Sequence, residues 1–243
     1  MKAKPVILIA RRELSAYLRT FSGYVIIAAI WAVDGLLFNA FALGGESKRS
    51  AEVLSLFFYF SSGTTMVASV FISMRLLAEE RQTGTLVLLY SSAIRDSEII
   101  LGKFLSAFLF LGLMTLGTVF MPALILVHGK ISVGHIAVGY AGLLLLGSAC
   151  LAIGTLGSSL ARTQVLAAIG SGCMVVGILV SWLVARVTDR PLSDVFSALA
   201  LHGMHFQPFQ SGIIHLRDVA YYLLVTYVGL FAATRVLEAR RWR

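Results

Sequence analysis

Three features of the chain predict an all-α integral membrane fold with six transmembrane helices. The composition is too apolar for a soluble domain of 243 residues, with 58% hydrophobic residues, 13% charged residues and a mean hydropathy of +0.87. The apolar residues gather into six runs, 21–43, 53–74, 104–127, 136–160, 165–185 and 219–237. Each is close to the roughly 20 residues that a helix needs to cross a hydrocarbon layer of about 30 Å. Basic residues divide unevenly between alternate connections, 14 on the side of the N-terminus against 6 on the other. Cytoplasmic loops carry the excess of lysine and arginine, so this division places both termini in the cytoplasm. It also accounts for the formal charge of +8 without a nucleic-acid partner.

Ahead of the first run, Ile7, Ala10, Leu14, Tyr17, Leu18 and Phe21 recur at helical spacing, and Arg11, Ser15 and Arg19 share another face. This pattern predicts an amphipathic helix along the inner membrane surface, its basic side toward anionic headgroups. The opening MKAKPVILIARRE has too short an apolar run for a cleaved signal peptide. In the first span Asp34 is the only acidic residue within any of the six runs. A carboxylate there is costly, so it must face other helices or water. Two readings stand: a structural carboxyl with hydrogen-bonding neighbours, which is favoured, or a conduit-lining or proton-linked group.

The second span carries Ser61, Thr65, Ser69 and Ser73 at every fourth position, a stripe of small hydroxyls suited to close helix approach or to lining a pathway. Gly154 and Ser158 in the fourth span repeat the spacing, as do Ala168 and Gly172 in the fifth, with Gly170 and Gly177 nearby. Packing within the subunit, a dimer interface and substrate contact all remain open for these faces. In the last span Arg235 must extend its head toward the membrane surface. Cys150 and Cys173 fall inside spans, where a thiol behaves as a small hydrophobe.

The connection between the second and third spans is the most informative stretch. Arg75, Glu79, Glu80 and Arg81 crowd together, Thr83, Gly84 and Thr85 interrupt them, and Leu86, Leu88, Leu89 and Tyr90 follow before Arg95, Asp96 and Glu98. An apolar knot in a water-facing loop calls for something to cover it. The sequence from the charged cluster through Gly84-Thr85-Leu86 to Ile99-Ile100-Leu101-Gly102-Lys103-Phe104 resembles the membrane-spanning subunit of type-2 ABC transporters, in particular the gliding-motility and copper-maturation permeases. A second patch carries the same resemblance: His205-Phe206, Phe209, Gly212, Ile213, then Leu216-Arg217-Asp218-Val219 ahead of Tyr221-Tyr222.

The resemblance implies a cytoplasmic coupling helix after the second span, beginning near residues 83–85. In it Leu86, Leu89 and Tyr90 enter a groove on an ATPase, while Glu79, Glu80 and Arg81 make charged contacts around it. It also implies short re-entrant helices between spans five and six that close the outer end of a conduit, a role for Phe196, His205, Phe206, Phe209 and Gly212. Asp34, Ser61, Thr65, Ser69, Ser73, Ala168 and Gly172 are the candidates for conduit or dimer interface.

Catalytic signatures are missing. The chain has no GxxxxGK[ST] phosphate loop, GxSxG elbow or HExxH helix, so it is expected to hold no ATP and no cofactor of its own. All five histidines map to the outer side, and His202 and His205 have a spacing suited to a metal. No thiolate or methionine ladder completes a ligand set, and no metal site is expected.

The reading is a permease subunit in a dimeric transmembrane pathway, driven by separate cytoplasmic ATPase subunits that carry ATP and Mg, working in export. Its expected setting is the inner membrane of a bacterium, with membrane lipids and an extracytoplasmic accessory protein as further partners. The alternatives are an ABC-type energy transmitter that moves no solute and, behind it, an ion-coupled secondary transporter using Asp34.

Overall fold

The computed structural model describes residues 4–43, 49–86, 94–128 and 131–241. Among these residues the chain is helical and has no strand. We label the helices α1 (Lys4–Arg19), α2 (Phe21–Leu37, continued by a π-helical turn, Phe38–Leu43), α3 (Ser50–Ser73) and α4 (Ala78–Gln82). They continue as α5 (Asp96–Leu116, running through a 3-10 turn, Gly117–Val119, into α6, Phe120–His128), α7 (Val133–Leu160) and α8 (Gln164–Val187). Last come α9 (Leu192–Leu199), α10 (Gln207–Gln210) and α11 (Leu216–Arg241). Six of these stretches are long and apolar enough to cross a membrane, and they coincide with the six runs of the sequence.

The fourth span, α7, is the axis of the bundle and packs against α3, α5, α8 and α11. It starts at Ser132, whose hydroxyl accepts the His135 N–H, and ends where Ala161 turns extended. Glycine lets its neighbours approach closely. A Cβ on Gly154 would stand 1.9 Å from Ser73 Oγ, so α3 and α7 pack together only because that position has no side chain. Around α7 the core gathers Phe57 and Phe58 of α3, Phe206 and Phe209 of the outer segment and Tyr222 of α11. A second cluster, toward the end of the bundle where α1 lies, joins Tyr17, Ile72, Phe110 and Leu151. Spans one, five and six are covered far less, and their apolar faces look outward.

Three local features add to the expectations. The helix that carries the third apolar run starts at Asp96, ahead of Phe104, and α1 lies along its first turns and shields Ile99, Ile100 and Lys103. Helix α1 is amphipathic as expected, yet it buries Ile9, Ala10 and Tyr17 against the protein and leaves Ile7, Leu8 and Leu18 outward. A short helix, Ala78–Gln82, and a turn over residues 83–85 lead up to Leu86, and the expected coupling helix with Leu89 and Tyr90 falls outside the described residues. Gly84 sets that turn with φ +74°, a conformation that side chains disfavour.

Candidate coupling segment, groove and outer clamp

The charged cluster after span two is used mainly within the chain. Lys103, 2% exposed, places its Nζ 2.8 Å from Glu80 Oε1 and 3.3 Å from Glu13 Oε1. One buried cation thus fastens α1 and α4 to α5. Arg75 donates through Nε to Glu79 Oε2 at 2.8 Å and through Nη1 to Ser22 Oγ at 2.6 Å, with its guanidinium over the Tyr17 ring. Arg81 donates to the carbonyls of Ser159 and Ala161 at the end of α7. Ser158 accepts the N–H groups of Leu77 and Ala78, both at 3.1 Å, and donates to Met74 O, which satisfies the backbone where α3 gives way to α4. Tyr17 donates its hydroxyl to Ile72 O at 2.9 Å, and burial pushes that phenol well above its ordinary range despite nearby Arg75.

This placement revises the expected docking surface. Glu80 is half-buried and paired with Lys103, Arg81 turns inward, and Leu86 is buried within the chain instead of standing free. The exposed tip is residues 82–85, where the Thr83 and Thr85 hydroxyls lie 2.9 Å apart around Gly84. Leu89 and Tyr90 lie outside the described residues.

A groove of about 610 Å³ runs between α2, α3 and α8. Val33, Met66, Phe71, Gly172 and Val176 line its walls together with the polar groups Ser62, Thr64 and His202. Ser62 Oγ and His202 Nε2 are 2.9 Å apart, and burial holds the His202 imidazole below its ordinary pKa. The hydroxyl stripe faces elsewhere: Ser61, Thr65, Ser69 and Ser73 are all buried, and the first two line a small space with Asp34. Ser69 donates to Thr65 O at 2.7 Å and reaches Gly147 O of α7. Thr64 donates to Asp34 Oδ1 at 2.7 Å. Gly170, Gly172 and Gly177 meet nothing within 4 Å, so the small face of span five is open rather than packed within the subunit, and Ala168 is half-buried beside it.

At the far end the outer segment is clamped to α7 and α11. His205 Nδ1 lies 2.8 Å from Asp218 Oδ1, its Nε2 donates to Ala198 O at 3.2 Å, and the Tyr221 ring stacks on it at 3.9 Å. Tyr221 and Tyr222 donate to Leu199 O and Leu201 O, and His135 Nε2 donates to Gln210 O at 2.7 Å. Phe206 and Phe209 are fully buried, Phe196 is half-buried, and Gly212 takes φ +77° against the His135 ring. His202 and His205 therefore serve separate partners. Sequence reasoning missed the Lys103 node and the Asp218 clamp, although a lysine directly ahead of an apolar run and an aspartate at the mouth of a span were available signals.

The chain matches the family model described as ABC-2 family transporter protein over residues 32–196, a stretch reaching from Asp34 through the coupling segment, the groove and α7 to Phe196. No curated protein matches it. With more than half of its length inside that match, the chain belongs to the ABC-2 transporter family, and it is the membrane-spanning permease component, not the ATPase.

Proposed function

We propose that the chain pairs with a second copy of itself to form a pathway across the inner membrane of a bacterium. A cytoplasmic ATPase docked at the tip of residues 82–85 would drive it, supplying ATP and Mg from its own site. The family implies such an ATPase partner. Both termini face the cytoplasm in this reading, transport runs outward, and the branch is that of gliding-motility and copper-maturation permeases. The groove between α2, α3 and α8, with the open glycine face of span five, serves as dimer interface and pathway wall. The outer segment of Phe196, His205, Phe206, Phe209 and Gly212 serves as gate, with an extracytoplasmic accessory protein beyond it.

The observation that carries this reading is the Lys103 node. A push on the tip reaches α4, and from α4 the contacts of Glu80, Arg81 and Ser158 lead directly to α5, α1 and α7. Rigid transmission of this kind lets ATPase closure tilt spans between two arrangements. The test is co-expression with the candidate ATPase and cysteine crosslinking from Thr83→Cys, with Ser193→Cys at the far end as control. Crosslinking of the ATPase at Thr83 alone is expected. Equal capture at both positions, or none at Thr83, would overturn the docking assignment.

A further inference from the structure

Behind the groove wall, where α2, α3, α5 and α7 meet, lies a chamber of about 10 Å³. That is on the order of one water-sized sphere. Its polar lining is Asp34, Ser61, Thr65, Thr115 and Thr118, all five of them buried, and apolar side chains close the rest. The protons of several of these groups are already committed. Thr115 donates to Leu111 O and Thr118 to Thr115 O, each at 2.8 Å. With its own proton given away, Thr118 accepts from Tyr140, whose hydroxyl is 3.0 Å off. Thr64 shares its proton between Asp34 Oδ1 and Ser61 O, and the Ser61 hydroxyl hydrogen-bonds the same carboxyl. The carboxylate and the two threonines therefore turn lone pairs, not hydrogens, toward the chamber.

A lining rich in acceptors and holding one ionisable carboxyl selects its guest. Among the described lining residues none is cationic. A water supplies hydrogens but leaves the carboxylate charge uncompensated in the apolar interior, which is costly. A proton on Asp34 neutralises the charge but satisfies only one acceptor. A divalent ion would leave one positive charge over. A single small monovalent cation meets both demands, since oxygen ligands of this hard type suit hard cations. We propose that the chamber is a binding site for one sodium-sized monovalent cation. Asp34 supplies its counter-charge, and the hydroxyl oxygens around the chamber are its neutral ligands. Bound there, the ion ties four spans together directly behind Thr64, a wall residue of the groove.

The site needs neither ATPase nor second copy, so its failure leaves the permease reading untouched. The experiment measures thermal unfolding of the full chain in nanodiscs, in NaCl against choline chloride at equal ionic strength. Sodium is expected to raise Tm saturably by roughly 3–5 °C, with potassium raising it less. Asp34→Asn is expected to abolish the rise. Thr115→Val with Thr118→Val keeps shape while removing two ligand oxygens, and should shift the half-saturating concentration at least about tenfold. Should Asp34→Asn not fold, binding of radioactive sodium to the native chain against the double valine variant gives the same decision. Equal Tm in NaCl and choline chloride would overturn the proposal and leave a neutral carboxyl or a water in the chamber. A rise that is the same in all alkali chlorides and survives the substitutions would overturn it too, as a general salt effect.

Discussion

The end of the bundle that carries α4 and the flank that carries the groove are built from opposite materials. At the first, Lys103, Arg75, Arg81 and Ser158 tie α1, α3, α4, α5 and α7 together by directed contacts that have few alternatives. Along the second, α2, α3 and α8 border a space of about 610 Å³ whose walls are almost entirely apolar, and a Cβ on the wall glycine Gly172 would meet nothing within 4 Å. Ionic nodes in a buried setting hold one geometry, whereas apolar surfaces in lipid slide at little cost because hydrocarbon is as good a neighbour as another leucine. On the proposed reading, the difference suits the first region to transmission and the second to rearrangement.

The largest expected effect comes from breaking the node. Lys103→Met leaves the half-buried Glu80 without its cation, and one buried oxygen of that carboxylate already has no partner. Removing one member of a buried pair costs about 3–5 kcal/mol. Helix α1 should then loosen, read as a lowered Tm and faster proteolysis after Arg11 and Arg12. Adding Glu80→Gln should recover part of the loss, because the stranded charge goes with it. No change in Tm for Lys103→Met would erase the contrast between the two regions.

A matched pair of glycines sharpens the same contrast. Gly154→Val on the fastened side drives its Cβ into the Ser73 side chain, where overpacking costs typically about 1–3 kcal/mol. Gly172→Val on the groove side meets open space and should leave unfolding within about 0.5 kcal/mol of the native chain. Its effect should fall on self-association, measured by crosslinking or mass photometry. If both substitutions lower Tm equally, the groove is as tightly packed as the node and the division fails.

What the sequence made legible follows from the range of the interactions involved. Six spans could be read because apolar length is a local property, and the helix of residues 4–19 because its faces repeat within a few turns. The hydroxyls of Ser61, Thr65, Ser69 and Ser73 could be counted, but not their direction. A stripe packed on α7 and a stripe facing a groove have the same spacing. The charged cluster misled for a related reason. Glu80 and Arg81 look like a loop exposed to water until Glu13, Lys103 and Ser159, each from a distant part of the chain, come to meet them. Likewise His205 shares a sequence patch with His202 and finds its partner in Asp218, beyond two intervening turns. Local pattern gave the helices, and the distant partners that decide which charges are free lay outside its reach.

The smallest expected effect concerns a polar fastening at the groove's edge, the contact of His202 with Ser62. Burial keeps the imidazole neutral by lowering its pKa in the folded chain, while the unfolded chain titrates near the ordinary value of about 6.5. The unfolded state therefore binds more protons in the interval below that value, and stability rises with pH across it. The contribution is fully present above about pH 6.5 and fades as pH falls through the lowered folded value. Acidification should thus loosen the outer edge of the groove and leave the Lys103 node in place. We expect a drop on the order of 1 kcal/mol, the size of one hydrogen bond. The measurement is hydrogen exchange over residues 59–66 and 200–204 in nanodiscs at several pH values, with His202→Asn as control. The native chain should exchange faster in acid there while the asparagine variant shows a flat profile, since its amide keeps a polar group without a titration in this range. A slope that persists in His202→Asn would place the titrating group elsewhere, and the groove would then lose its distinct pH response.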